Sequence, residues 1–364
     1  MSTSSLFASD NVAGCDERVW ARVAREFSDA SATRSSYSRD ATSVRVHERL
    51  AQLVGGGERV DVQLVYNGTA ANVVGLACVS RPYDAVLVGR SSHLYTAECG
   101  AVERFVGARC VPVESNDALT ALLDVDGVER ALESCGPRDD VHAVRPRVLS
   151  ITQVNEFGCV YSLPHLASLR RLCDRHGLLL HVDGARISNA AVALGCSLAD
   201  VLQHADLASF GMTKNGALCG EALLLFRSRL LERGVSADDL DQAERVRKQA
   251  MQLHSKSAFL AAQFDAFLDD AVWRRNAAHA NDMARRLAQL LAERVPAMAV
   301  TRRVDSNAVF VRFPTRAALA AAQRQYASLG AWAPPNDEVR LMCSYATTAA
   351  QVDALVQCFS EAVR

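Results

Sequence analysis

Two stretches, HVDGARISNAAVALG (181–195) and SFGMTKNGALCGEA (209–222), each place a charged side chain just after a short apolar run. Asp183 follows the run that begins at Leu178, and Lys214 follows the run that begins at Leu207. A carboxylate is costly to bury unless a cation partners it, and lysine is rarely buried without a reason. Both stretches therefore predict strand ends that carry chemistry.

The segments around these two stretches alternate between strands and helices. A helical pattern covers 163–176 and ends at Gly177, a residue type that commonly terminates helices. Strand, helix and strand in succession predict an α/β fold with a mostly parallel sheet, which binds ligands at the carboxyl ends of its strands. The predicted strands share β-branched or consecutive apolar residues and cover 62–66, 85–88, 147–152, 178–182, 207–210 and 222–226.

After about residue 240 the pattern changes to long helices and then to a smaller α+β segment. We expect a large domain over 1–245, including an N-terminal segment 1–45, and a small C-terminal domain over 246–364. The expected elements of the second part are helices at 238–268, 277–294, 317–329 and 349–363, with strands at 308–313 and 339–344.

Composition argues against several classes of function. The 364 residues are 49% hydrophobic and 22% charged, with a net charge of -1, so there is no basic field for nucleic acid or for a membrane surface. No apolar run reaches the roughly 18–20 residues of a spanning helix, and the N-terminus lacks the features of a secretory signal. The 11 cysteines include no C-x-x-C pair, so we expect a cytoplasmic protein without a metal site.

Three further features limit the chemistry. Lysine occurs only at Lys214, Lys248 and Lys256, so amine chemistry has three candidates, and a lysine placed in a cleft could form a Schiff base. Gly68 and Thr69, in YNGTAAN (66–72), open a helix whose N-terminus suits a phosphate, although a plain helix cap is the alternative. A histidine also follows the second predicted strand, in SSHLYTAECG (91–100), where it could stack on a planar ligand, act as a base or belong to the core.

The order and spacing of these motifs resemble the threonine aldolase family of pyridoxal-phosphate enzymes, within the aspartate-aminotransferase-like (fold type I) group. The resemblance runs from FASDN (7–11) to the region of Arg340, and the TKNG form of the lysine motif is similar to the low-specificity branch. It implies a homodimer or homotetramer that acts on a small amino-acid substrate.

The resemblance also implies roles for individual residues. Lys214 would hold pyridoxal 5'-phosphate covalently, and Asp183 would pair with its pyridinium nitrogen in place of a simple pair with Arg186. The remaining implied roles are ring stacking by His93, phosphate binding by Gly68 and Thr69, further cofactor contact by Arg186, and substrate carboxylate binding by Ser9, Arg186 and Arg340.

One segment departs from the family pattern. Many members carry an ENTHN-like segment whose histidine approaches the substrate hydroxyl, whereas the aligned stretch here is TQVNEFG (152–158), with Asn155 at that position. His93 is then the candidate base, directly or through a water, and the preference between threonine and allo-threonine stays open.

The implied reaction is cleavage of threonine, allo-threonine and related β-hydroxy-α-amino acids to glycine and an aldehyde. An aminotransferase or a β-eliminating lyase would use the same lysine, aspartate and phosphate site, so these residues cannot distinguish the three reactions.

Overall fold

The computed structural model describes residues 6–29, 33–327, 329 and 338–364. Its larger sheet has the strand order β1-β7-β6-β5-β4-β2-β3. β7 runs antiparallel to β1 and β6, and the other pairs are parallel. The strands are β1 (Val60–Val65), β2 (Asp84–Gly89), β3 (Arg109–Val113), β4 (Arg145–Thr152), β5 (Leu179–Asp183), β6 (Leu207–Gly211) and β7 (Glu221–Phe226).

The six strands expected from the sequence are all present, and β3 is an additional one. It lies at the edge of the sheet, begins at the exposed Arg109 and contains Pro112. A proline is tolerated at a sheet edge, where one side of the strand needs no hydrogen bond, but it weakens the strand pattern in the sequence.

Helices cover both faces of this sheet. Leu180 and Val182 of β5 pack in one hydrophobic cluster with α2, α7 and α13, whereas Leu179 packs on the other face with α3. The helices of this part of the chain are α1 (Glu17–Glu26), α2 (Ala41–Gly55), α3 (Gly68–Val79), α4 (His93–Thr96), α5 (Ala101–Phe105), α6 (Val125–Ser134), α7 (Leu163–His176), α8 (Ile187–Leu194), α9 (Leu198–Leu202), α10 (Arg227–Glu232), α11 (Ala237–Asp241), α12 (Ala243–Gln249) and α13 (Ala258–Leu268).

The single helix expected over 238–268 is wrong. The structure divides it into α11, α12 and α13, with irregular backbone between Gln249 and Ala258. Met251 has φ 64°, a left-handed conformation that a continuing helix cannot contain. The apolar periodicity of the segment reflects separate helices on opposite faces of the large sheet, because α11 and α12 pack with α3 whereas α13 packs with α2 and α7.

A three-stranded antiparallel sheet, in the order β10-β9-β8, forms the second core with the last helices. Its elements are α14 (Val272–Arg294), β8 (Ala299–Val300), β9 (Ala308–Arg312), α15 (Arg316–Gln323), β10 (Glu338–Met342) and α16 (Ala349–Ala362). The predicted α/β architecture with a small C-terminal α+β unit is confirmed, although α15 ends before 329 and residue 328 lies outside the described residues.

The two cores meet along α14. Trp273 packs in the core of the large sheet, whereas Leu287 packs in the core of the small one. Helix α13 also packs in the large core, although it follows the boundary expected at 245/246. We therefore propose that the domain boundary lies within α14.

The N-terminal segment returns to the small unit, because Phe7 belongs to its core and the Phe7 carbonyl accepts the Met342 N–H. Across the described ranges, no helix is long and apolar enough to cross a membrane. The same ranges contain no group of three acidic, histidine or cysteine side chains arranged to hold a metal ion.

Candidate active site

The stretches 181–195 and 209–222 meet where β5 and β6 end. The Gly211 N–H donates to the Gly184 carbonyl at 3.0 Å, and the Gly184 N–H donates to the Ser209 hydroxyl at 2.9 Å. A Cβ at Gly184 would lie 2.0 Å from the Ser209 carbonyl oxygen, and one at Gly211 would lie 2.3 Å from the Ala185 carbonyl oxygen. Only glycine permits this approach, so the glycines bring Asp183 and the Lys214 turn to one edge of the sheet.

Asp183 is the last residue of β5 and is 4% exposed. Its Oδ2 accepts a hydrogen bond from Asn72 Nδ2 at 3.0 Å, and its Oδ1 accepts the Ala185 N–H at 3.0 Å. Within the described part of the chain, no lysine, arginine or histidine nitrogen lies within 4.0 Å of this carboxylate. Arg186 does not pair with it, so this alternative from the sequence is not what the structure contains.

Lys214 lies in a short 3-10 turn (Thr213–Asn215) that follows β6. The turn is fixed from α14, since Asn215 Nδ2 donates to the Trp273 carbonyl at 2.8 Å and Asn276 Nδ2 donates to the Asn215 carbonyl at 2.9 Å. Burial and the nearby Arg186 lower the pKa of the Lys214 amine. The turn therefore presents an amine that loses its proton more readily than an exposed lysine.

The other two lysines are placed differently. Lys248 Nζ donates to the Leu253 carbonyl at 3.3 Å and lies over the Tyr37 ring at 4.9 Å, while Lys256 is exposed. Neither follows a strand of the large sheet. Lys214 is therefore the lysine that the fold presents at the strand ends.

Helix α3 begins beside these residues. Asn67 caps it, with Oδ1 accepting the Ala70 N–H at 2.8 Å. In the described structure, no protein acceptor takes the N–H groups of Gly68 and Thr69, and a Cβ at Gly68 would meet no atom within 4 Å. An open helix N-terminus with a threonine hydroxyl has the form of a phosphate site.

His93 is the first residue of α4 and connects to Asp183 through two buried side chains. Its Nδ1 lies 2.9 Å from Glu98 Oε1, which also accepts from Asn72 Nδ2 at 2.9 Å. The same Asn72 amide donates to Asp183. The side chain of His93 is 45% exposed, so its ring is accessible while its Nδ1 is held by Glu98.

Arg186, Ser9 and Arg340 also come together, through a residue that the sequence analysis missed. Asp10 accepts two hydrogen bonds from Arg186, from Nε at 2.6 Å and from Nη2 at 2.8 Å, and one from Asn307 Nδ2 at 3.1 Å. Ser9 precedes Asp10, and its hydroxyl accepts the Asn11 N–H at 3.2 Å. Arg340, on β10, interacts electrostatically with Asp10 and Arg186. Its burial, together with the positive charge of Arg186, lowers the pKa of Arg340 to about 10.

Asn155 does not face this cluster. Its Nδ2 donates to the Thr120 carbonyl at 2.7 Å, and its Oδ1 accepts the N–H groups of Phe157 and Cys159 at 3.1 and 3.0 Å. In this segment it is the neighbouring Glu156 whose Oε1 accepts the backbone N–H of His93, at 2.6 Å. The family pattern in the sequence therefore pointed to Asn155, which shapes the turn. The residue that contacts the site is the next one, Glu156.

The chemical groups gathered at this site fit pyridoxal phosphate. A buried carboxylate without a cation suits a protonated ring nitrogen, a lysine amine of lowered pKa suits a carbonyl, and an open helix N-terminus suits a phosphate. Asn72 Oδ1 and Glu98 Oε2, both buried here, have no hydrogen-bond partner in the described structure. Such a set of buried polar groups is typical of a site built to hold a ligand rather than of a packed core.

Comparisons with known proteins agree with this fold and site. Residues 7–315 match the family model described as "Beta-eliminating lyase", and the chain belongs to this family. It is 36% identical to a low-specificity L-threonine aldolase of Pseudomonas sp. over 97% of this chain and 96% of that protein. The solved threonine aldolase of Leishmania major is 25% identical and covers 98% of this chain and 99% of that chain, with a TM-score of 0.85.

The fold extends to more distant proteins. An aspartate aminotransferase of Thermus thermophilus has a TM-score of 0.67 at 18% identity, covering 96% of this chain and 89% of that chain. At this identity the likeness concerns the fold alone, and it confirms the aspartate-aminotransferase-like architecture expected from the sequence.

Proposed function

We propose that this chain is a pyridoxal-phosphate-dependent aldolase that cleaves threonine, allo-threonine and related β-hydroxy-α-amino acids to glycine and an aldehyde. The observation that carries the proposal is the close contact of Gly184 with the end of β6, which supports a shared site for Asp183 and Lys214, two groups that interact electrostatically. The relatives at 36% and 25% identity, both named threonine aldolases, support this choice among the reactions that such a site can perform.

Five residues would hold the cofactor, and Arg186 would add a contact beside the lysine. Lys214 would bind its aldehyde carbon, Asp183 its ring nitrogen, His93 its ring face, and Gly68 and Thr69 its phosphate. Bound pyridoxal phosphate supplies an electron sink for a carbanion at Cα of the substrate. Asp183 would keep the ring nitrogen protonated, because a nearby carboxylate favours the charged form.

The substrate carboxylate would bind to Arg186 and Arg340, with Ser9 beside them. Asp10 holds the Arg186 guanidinium by two hydrogen bonds, so the arginine is already oriented before substrate arrives. By holding the carboxylate, these residues would orient the substrate and so favour cleavage of the Cα–Cβ bond over loss of the Cα hydrogen. A proton must leave the β-hydroxyl as this bond breaks.

We also propose a homodimer or homotetramer in the cytoplasm. The assembly rests on the resemblance to the threonine aldolases. The compartment is supported by the 11 cysteines, all of which are free thiols.

The test is a product assay on each threonine stereoisomer with purified protein loaded with pyridoxal phosphate. The expected result is equimolar acetaldehyde and glycine, with a ranking of isomers that defines the stereochemical preference. A loaded protein that instead releases ammonia and an oxo acid would be a β-eliminating lyase, and one that transfers the amino group would be an aminotransferase. Either result overturns the proposal while retaining the cofactor.

A further inference from the structure

We propose that the Glu156 carboxyl accepts the proton of the substrate β-hydroxyl during cleavage and returns it to the aldehyde oxygen in the reverse direction. In cleavage the O–H bond breaks and its proton moves to Glu156, while the oxygen–hydrogen electron pair forms the C=O bond of the aldehyde. The Cα–Cβ electron pair stays with Cα. The inference rests on the proposed function and names the group that completes it.

The position of Glu156 supports this role. Its Oε1 accepts the His93 N–H at 2.6 Å and the Thr152 hydroxyl at 3.3 Å. Thr152 is the last residue of β4 and stands opposite Asp183 in the register of β4 and β5. Glu156 is thus tied both to the histidine at the cleft and to the strand beside the buried aspartate. Because Oε1 already accepts two hydrogen bonds, we assign the proton transfer to Oε2.

The charges around Glu156 are those that would hold the substrate. The carboxyl of Glu156 interacts electrostatically with Arg186, Asp183 and Arg340. In a β-hydroxy-α-amino acid, only three bonds separate the carboxylate carbon from the hydroxyl oxygen. A carboxylate held by the two arginines therefore places the hydroxyl oxygen close to them, in the region that Glu156 faces.

Two neighbouring polar side chains, Asn155 and Glu98, already hydrogen-bond to other groups of the protein. The amide nitrogen and oxygen of Asn155 are both hydrogen-bonded to backbone groups. Glu98 is buried, and its Oε1 contacts His93 Nδ1 and accepts from Asn72 Nδ2, both at 2.9 Å. His93 Nδ1 is already engaged by Glu98 Oε1 at 2.9 Å, and the resemblance to the threonine aldolases gives this ring a stacking role on the cofactor.

The protonation behaviour of Glu156 suits both directions of the reaction. Burial raises the pKa of its carboxyl and Asp183 raises it further, while the His93 N–H and Arg186 lower it, with a net increase. A carboxyl that holds its proton to higher pH than an ordinary glutamate is better matched to accepting and returning a proton near neutrality.

The experiment compares Glu156→Gln with wild type in three measurements: absorbance of the bound cofactor, exchange of the glycine α-hydrogen in D2O, and cleavage of threonine and allo-threonine. Glutamine keeps an oxygen that can accept from His93 and Thr152, so the loop keeps its contacts. Glu114→Gln makes the same chemical change in an exposed ion pair with Arg90 and serves as the matched control.

We expect cleavage by Glu156→Gln to fall about 10²–10⁴-fold, the usual contribution of a positioned acid or base. Glycine exchange should stay within about twofold, because it involves no β-hydroxyl. In wild type, cleavage should decrease as pH falls through the Glu156 pKa, since the base must be ionised. The variant should lack this decrease, and Glu156→Asp should recover part of the rate.

Different failures have different patterns. Equal cleavage by wild type and Glu156→Gln would overturn this inference alone. A parallel loss of cleavage and glycine exchange would give Glu156 a structural role and would also overturn it. If wild type exchanges glycine hydrogen but cleaves neither isomer, the proposed function fails and this inference fails with it.

Discussion

Two buried aspartates near opposite ends of the central strands have opposite surroundings. Asp206, just before β6, accepts from Arg170 Nη1 at 2.7 Å and from the Leu180 N–H at 2.7 Å, and both charged side chains are buried. Among the described residues, the carboxylate of Asp183, at the end of β5, accepts from two neutral donors, the Asn72 amide and the Ala185 N–H. Both carboxylates are almost fully removed from water.

The difference separates a structural ion pair from a binding group. A buried carboxylate needs a cation or a set of hydrogen bonds, and Asp206 has both from its own fold. Asp183 has hydrogen bonds from neutral donors alone, so the fold stabilises its position without neutralising its charge. A cation that arrives from outside the protein therefore finds a preformed partner at Asp183 and none at Asp206.

The largest expected effect is at the lysine that would anchor the group facing Asp183. Lys214→Ala should lose the visible absorbance of bound pyridoxal phosphate and nearly all turnover, because the covalent attachment is removed. Absorption spectra and the product assay measure both. Lys248→Ala is the control, since that side chain lies away from the strand ends, and it should retain both. Retention of absorbance and turnover by Lys214→Ala would move the attachment to Lys248 or Lys256.

The next effect is on stability at Asp206. Asp206→Asn should lower the free energy of unfolding by about 3–5 kcal/mol, because it removes the buried anionic partner of Arg170 and leaves that guanidinium with the exposed Asp174 alone. Urea denaturation measures the loss, and the turnover of the folded fraction should stay near wild type. A stable Asp206→Asn protein with poor turnover would reverse the roles that we assign to the two aspartates.

Asp183→Asn should show the opposite behaviour. We expect kcat to fall about 10²–10³-fold, similar to the loss of a preorganised electrostatic group, with a much smaller change in cofactor affinity. Unfolding should change little, because in the described structure Asp183 belongs to no close ion pair whose cation the substitution would leave buried and unpaired. Cofactor titration and kcat together test this, and a near-normal kcat would contradict the assignment.

The smallest effect should come from Asn72, which donates to Asp183 and Glu98. Asn72→Ala should reduce kcat about 10- to 100-fold, because a hydrogen bond to a charged group contributes about 1.5–3 kcal/mol. The change should be measured alone and together with Asp183→Asn. If the two losses are additive, Asn72 does not act through Asp183.

The motifs of the sequence predicted most of the sheet and several of the residues gathered at its edge. Asp183 and Lys214 follow strands that are buried on both faces, and such strands stand out as apolar runs. The edge strand β3 was missed because Pro112 and an exposed arginine interrupt its pattern. The division of 238–268 was missed because the helices on either side of the break bury apolar faces in the large-sheet cores.

Within the site, the sequence by itself determined which residue types stand at the ends of β5 and β6: Asp183, Lys214 and the two glycines Gly184 and Gly211. These follow from local chemistry, since a strand end, a close backbone approach and a helix N-terminus each restrict the residue type. Only the tertiary structure decided that Asp10 orients Arg186 and that Glu156, not Asn155, contacts the His93 loop. The Glu156–His93 contact joins residues 63 positions apart, and the Asp10–Arg186 contact joins residues 176 positions apart. A one-residue difference in a turn also decides which side chain reaches the site.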